Sequence, residues 1–166
     1  MELHAGKEKF LNAWGSLASN WGINRTMAQV HALLLVAPQP LNADEIINEL
    51  KISRGNANMN IRALMDWGLV FKEIRAGERK EFFFAEKDMW VVFKQIVTQR
   101  KKRELEPIIK LFDEVCSVEG NCDESKEFCR VVKELKVMTC QADSILDNLM
   151  RTDPNWITKC FIQAFK

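Results

Sequence analysis

The stretch from Ser53 to Lys80 constrains this chain more than any other. It opens with Ser-Arg-Gly-Asn-Ala-Asn-Met-Asn-Ile-Arg, in which three asparagines (Asn56, Asn58, Asn60) fall within five residues. Asparagine is a poor helix former, yet Ala57, Ile61 and Leu64 recur at spacings of four and three, as the buried ridge of a helix does. Ser53 stands where an N-cap belongs. Trp67-Gly68 supplies the stop, with the glycine as a left-handed cap. Two runs rich in β-branched and aromatic residues, Leu69 to Ile74 and Lys80 to Ala85, then flank an Ala76-Gly77-Glu78 turn. Helix, glycine stop, strand, basic turn and strand is the element order of a winged helix-turn-helix.

Subtracting the apolar ridge leaves an outward face of polar residues. An Asn amide can pair bidentately with adenine, and an Arg guanidinium with guanine. The candidate DNA-reading residues are therefore Ser53, Arg54, Gly55, Asn56, Asn58, Asn60 and Arg62. The hairpin adds Arg75, Gly77, Arg79 and Lys80, whose cations could reach a minor groove or its flanking phosphates. The plainer alternatives are a solvated polar face on the helix and a hairpin edge kept soluble by charge.

Charge distribution favours the first reading. The net charge is only +1, but residues 53–103 hold 12 Lys/Arg against 6 Asp/Glu, and residues 104–166 hold 8 against 12. The basic excess lies over the candidate reading segment and is masked in the total by an acidic C-terminal third.

Around this segment the periodicity is helical. A first helix is expected from about Ala5 to Asn20, with Phe10, Leu11, Trp14, Leu17 and Ala18 on its apolar stripe and Trp21-Gly22 at its end. A second is expected to begin in a capping box, Thr26-Met27-Ala28-Gln29, to line one face with Val30, Leu33, Leu34 and Ala37, and to stop at Pro38-Gln39-Pro40. Another capping box, Asn42-Ala43-Asp44-Glu45, announces a third, barely two turns long. From Asp88 onward the pattern stays helical. It includes a basic run, Arg100-Lys101-Lys102-Arg103, that could touch phosphates or lie on a solvated face, and a kink or break at Pro107. A turn at Glu119-Gly120-Asn121 leads to a long helix, about Glu124 to Met150, and Asp153-Pro154 starts a last one.

The fold class expected is mainly α with a small β-hairpin wing. Residues 1–24 are read as an N-terminal dimerisation helix, 25–86 as the winged helix-turn-helix, and 87–166 as a C-terminal helical dimerisation region. Such long amphipathic helices carry more apolar surface than one copy covers, and a homodimer would bury it.

Other chemistry is sparse. Cys116, Cys122, Cys129, Cys140 and Cys160 are an odd set with no C-x-x-C pair and spacings unlike zinc sites. They read as reduced thiols of a cytoplasmic protein, with Cys122 the one expected at the surface and open to a redox role. No catalytic or metal motif is present, no cofactor is implied, and no signal peptide or apolar run long enough to span a membrane is found.

The segments Leu50-Lys51-Ile52-Ser53-Arg54-Gly55-Asn56-Ala57-Asn58 and Leu64-Met65-Asp66-Trp67-Gly68-Leu69-Val70, with the wing Gly77-Glu78-Arg79-Lys80, Arg100 and Pro107, resemble the MarR superfamily of winged-helix repressors and its GbsR branch. The resemblance covers roughly residues 5–115. It implies a homodimer on double-stranded DNA at a near-palindromic operator, with release by a small-molecule effector. By position it would set Ser53, Arg54, Asn56, Asn58 and Arg62 toward the groove and Arg75, Arg79 and Lys80 on the backbone. The competing readings are a winged helix turned to protein–protein contact and a thiol-responsive regulator.

Overall fold

The computed structural model describes residues 1–116 and 122–152. The expected turn at Glu119-Gly120-Asn121 and the last helix, with Ile157, Cys160, Phe161, Ala164 and Phe165, lie outside them. The chain divides into two units, residues 1–95 and 96–166.

The first unit is built on a helix enclosed on nearly all sides. α1 (Leu3–Asn20) leads to α2 (Arg25–Val36), which buries Met27, Ala28, Val30, His31, Ala32, Leu33 and Leu34. A helix apolar around so much of its circumference belongs at the centre of a fold. α1 crosses α2 closely at Gly15, where a Cβ would stand 2.9 Å from Gln29 Cγ and 3.1 Å from Arg25 Cγ. The α1 stripe is narrower than its spacing suggests: Leu11 and Gly15 are buried, while Leu17 is exposed. The cap of α2 also differs from expectation. Asn24, not Thr26, accepts from the Met27 amide, at 3.1 Å, and Gln29 turns to Asn12. Asn24 is the stronger cap residue and begins the helix one residue before Thr26. Lys87 closes the other end, donating to the carbonyls of Leu34, Leu35 and Ala37.

α3 (Ala43–Leu50) has the full capping box expected, with Glu45 N–H on Asn42 Oδ1 at 3.1 Å and Asn42 N–H on Glu45 Oε2 at 2.7 Å. Ile46 is its one fully buried side chain. Lys51 ends it in the left-handed region, at φ 53°. α4 (Arg54–Asp66) follows from the Ser53 cap, which accepts from the Asn56 amide at 3.3 Å, and buries Ala57, Ile61 and Leu64. Gly68, at φ 69°, then turns the chain: its N–H reaches the Met65 carbonyl and the Leu69 N–H reaches Leu64. That bond pattern needs a left-handed residue, which glycine adopts without strain.

β2 (Val70–Ile74) and β3 (Glu81–Ala85) form the wing hairpin, and Leu41–Asn42, labelled β1, adds a third antiparallel strand in the order β1-β3-β2. Two residues carry no readable period, so β1 has no sequence signal. Phe83 sits at its centre, opposite Leu41 on one side and Lys72 on the other.

α5 (Met89–Arg100) crosses the unit boundary in sequence. In the second unit a five-residue π turn, Lys101–Leu105, joins it to α6 (Glu106–Val115), and α7 (Asp123–Arg151) packs on the π turn and α6. The break expected at Pro107 takes the form of this turn, in which the Glu106 N–H bonds the carbonyl five residues back, at Lys101. Pro107 cannot donate to the carbonyl of Arg103, and its ring would crowd it. Lys101 is not a free member of a basic run. It is held between Asp143, at 3.1 Å, and Asp147 of α7, which raises its pKa through the Asp147 hydrogen bond first. No helix among the described residues is long and apolar enough to cross a membrane.

Candidate nucleic-acid interface

The site is assembled from the start of α4 and the hairpin, both within the first unit. The ridge of Ala57, Ile61 and Leu64 fixes α4 against the core, and this sets which side chains face out. Arg54, Gly55, Asn58, Met59 and Arg62 are exposed, as is the cap Ser53. Nothing stands within 4 Å of where a Cβ on Gly55 would be, so the glycine leaves open surface between Arg54 and Asn58.

Two of the expected readers are placed differently. Asn60 is buried, with 3% of its surface exposed. Its Nδ2 donates to the Asn56 carbonyl at 2.8 Å and to Asn56 Oδ1 at 2.6 Å, one helical turn back. It sits beside the ridge residue Ile61 rather than on the outward face, and burial of an amide is tolerated because its donor is satisfied. Asn56 is half-buried and has its side-chain oxygen engaged by Asn60, so less of it is available outward.

The hairpin tip turns through Gly77 (φ 84°), with Glu78 N–H bonding the Arg75 carbonyl at 3.1 Å. Gly77, Arg79 and Lys80 are exposed. The Arg75 side chain turns back from the tip: its guanidinium lies 4.1 Å from the centroid of the Phe82 ring, and its Nε bonds Glu73 at 2.9 Å. A guanidinium over an aromatic face next to a carboxylate is already well coordinated, so Arg75 serves the sheet in this structure.

Asp44, in the first turn of α3, links the two halves of the site. Its carboxylate accepts from Arg54 at 2.7 Å and from Lys80 at 3.0 Å. The Lys80 hydrogen bond, and then the Lys80 charge, hold the Asp44 pKa below the usual carboxylate range. In sequence Asp44 reads only as a helix-start acid, and nothing local shows that it meets residues 10 and 36 positions away. The arrangement thus offers a polar helix N-terminal half and an exposed cationic wing, joined by one carboxylate that a phosphate could replace.

His31 and the thiols lie outside this surface. His31 is buried beside Trp14, and burial first, then the Lys87 charge, lower its pKa to about 4. Cys122 is exposed as expected and caps α7, with the Ser125 N–H 3.4 Å from its sulfur; the Ser125 side chain first, and then that N–H, lower its pKa.

Residues 21–81 match the family model of the MarR family. The HTH-type transcriptional repressor GbsR of Bacillus subtilis (strain 168) is 24% identical over 110 residues, which are 66% of this chain and 58% of that protein. The chain therefore spans less than two thirds of that relative. A solved transcriptional regulator superposes with a TM-score of 0.67 at 17% identity, covering 87% of this chain and 95% of its own, which is a likeness of fold.

Proposed function

We propose that this chain, whose residues 21–81 form a winged helix of the MarR family, is a DNA-binding transcriptional regulator rather than an enzyme, and that it acts as a repressor. The observation that carries the reading is the exposed face of α4. Arg54, Asn58 and Arg62 project from a helix fixed by a closed core, and their side chains have the donor and acceptor geometry that reads base edges in a major groove. Arg79 and Lys80 on the wing would hold flanking phosphates. The repressor named GbsR among its relatives supports the same class.

The chain would work as a homodimer. In the second unit Ile108, Leu111, Phe128, Val131, Leu135 and Met138 are all exposed, which suits coverage by a second copy. α1 and the C-terminal helices would be the dimerising segments, setting two copies of α4 about one DNA turn, ~34 Å, apart on a near-palindromic operator. Release by a small-molecule effector fits this scheme. A turn to protein–protein contact would leave the polar face of α4 without a purpose.

The test is binding to genomic fragments followed by footprinting. Affinity should fall steeply between low and moderate salt, because phosphate contacts release counterions. Arg54→Ala or Asn58→Ala should cost about 1–3 kcal/mol on the selected site and relax its sequence preference, and Arg79→Ala should weaken all sequences alike. Unchanged operator binding in all three variants would sink the assignment.

A further inference from the structure

The second unit carries chemistry that reading DNA does not use. A groove of about 860 Å³ on α6 and α7 is lined by Cys116, Lys136, Val137, Cys140 and Ile145, among others. That volume lies within the ~300–1,000 Å³ of small-molecule sites. Cys116 follows the last residue of α6, and Cys140 is one helical turn beyond Lys136 on α7. Two thiols from two elements therefore share one groove with two lysines, Lys133 and Lys136. Both are half-buried, and neither is in a disulfide.

Lys136 is fixed there by Asp113, Nζ to Oδ1 at 2.6 Å. That carboxylate first, and more weakly Cys116 and Cys140, raise its pKa above the ordinary lysine value. It stays an ammonium at neutral pH, a hydrogen-bond donor and not a nucleophile. Val137 and Ile145, 55% and 66% exposed, give the groove apolar walls. On α7, Lys136, Val137, Cys140 and Ser144 share a face by helical spacing, while Phe128, Val131, Leu135, Met138 and Ala142 share another. A second copy covering the latter stripe would leave most of the groove open.

We infer that this groove captures small apolar electrophiles of the α,β-unsaturated carbonyl class, with Cys116 or Cys140 as nucleophile and Lys136 as donor to the carbonyl oxygen. The thiol loses its proton to water, and the sulfur lone pair forms a C–S bond to the β-carbon. The C=C π bond breaks, and its electron pair moves to the carbonyl oxygen, where the Lys136 ammonium stabilises the enolate. The α-carbon then takes a proton from water. The step is an addition and needs no oxidant.

The experiment uses the full chain, with no DNA present. The protein is treated separately with 1-octen-3-one and with iodoacetamide, a small polar thiol reagent, and adducts are located by peptide mass spectrometry. Cys122, exposed and away from the groove lining, is the internal reference. A tail that finds apolar walls should raise the ratio of enone to iodoacetamide rates at Cys116 or Cys140 about tenfold over the ratio at Cys122. Saturated 3-octanone should slow the enone there, and Lys136→Gln should slow the enone but not iodoacetamide at the same sulfur. Equal ratios at groove cysteines and Cys122, or no slowing by 3-octanone, would overturn the site. An unchanged enone rate in Lys136→Gln would remove the lysine from it.

Discussion

Val30, Leu33 and Ile46 in the first unit are wholly enclosed, at 0% exposure, whereas Leu135, Met138 and Ile145 in the second stand 44%, 66% and 66% exposed. Among the described residues, every buried apolar side chain lies in the first unit except Val132. The winged helix thus closes its own core around α2. The second unit has the same kind of residues on its helices but encloses almost none of them. Apolar area in water is unfavourable by roughly 25 cal/mol per Å², so folding alone finishes the first region, while the proposed homodimer would finish the second.

The largest expected effect tests the closed half. Leu33→Ala should cost about 2–5 kcal/mol in chemical denaturation, the range for an enclosed leucine that leaves a cavity. A loss well under 1 kcal/mol would mean that the core around α2 is not closed. A second test also belongs to that half. His31 takes a proton in the unfolded chain below pH 6.5 but in the fold only below about 4. Its contribution is full above pH 6.5, declines as pH falls toward 4, and is lost below, a change of about 3 kcal/mol at ~1.4 kcal/mol per pH unit. His31→Leu should flatten the stability profile over that window, and a slope equal to the parent's would remove His31 as its cause.

Next comes the open half. Leu135→Glu should weaken self-association by ~1.5–3 kcal/mol per copy, seen by sedimentation, while the denaturation midpoint of the winged helix holds. A dimer as tight as the parent's would mean that the exposed stripe of α7 is not the associating face. The smallest effect separates fold from reading on one helix. Asn60→Ala should cost about 1 kcal/mol of stability for its lost hydrogen bonds and leave sequence preference intact, whereas Asn58→Ala does the reverse. A change of preference in Asn60→Ala would return Asn60 to the reading face.

Much of this was legible from residues alone wherever a local rule governs. The Ser53 cap, the ridge of Ala57, Ile61 and Leu64, the Asn42–Glu45 box and the Gly68 stop depend on residues within one or two turns, so spacing reveals them. What escaped depends on competition or on distance. Thr26 has a good box pattern, but Asn24 offers a better cap two residues earlier. Asn60 reads as polar and outward until Asn56 supplies a partner that lets it be buried. Lys101 looks like part of a charge run because Asp143 and Asp147 lie more than 40 residues away. Asp44 is the same case within the candidate site: its cap position is visible, and its role in joining Arg54 to Lys80 is not.

The π turn at Lys101–Leu105 and Pro107 also restrict each other. The turn holds one residue more than regular α-helix would, so deleting any one residue there would restore the ordinary ladder. In that ladder the proline ring meets the carbonyl four residues behind it. A one-residue deletion in the turn should therefore be far more costly with Pro107 in place than in a Pro107→Ala background, by about 3 kcal/mol.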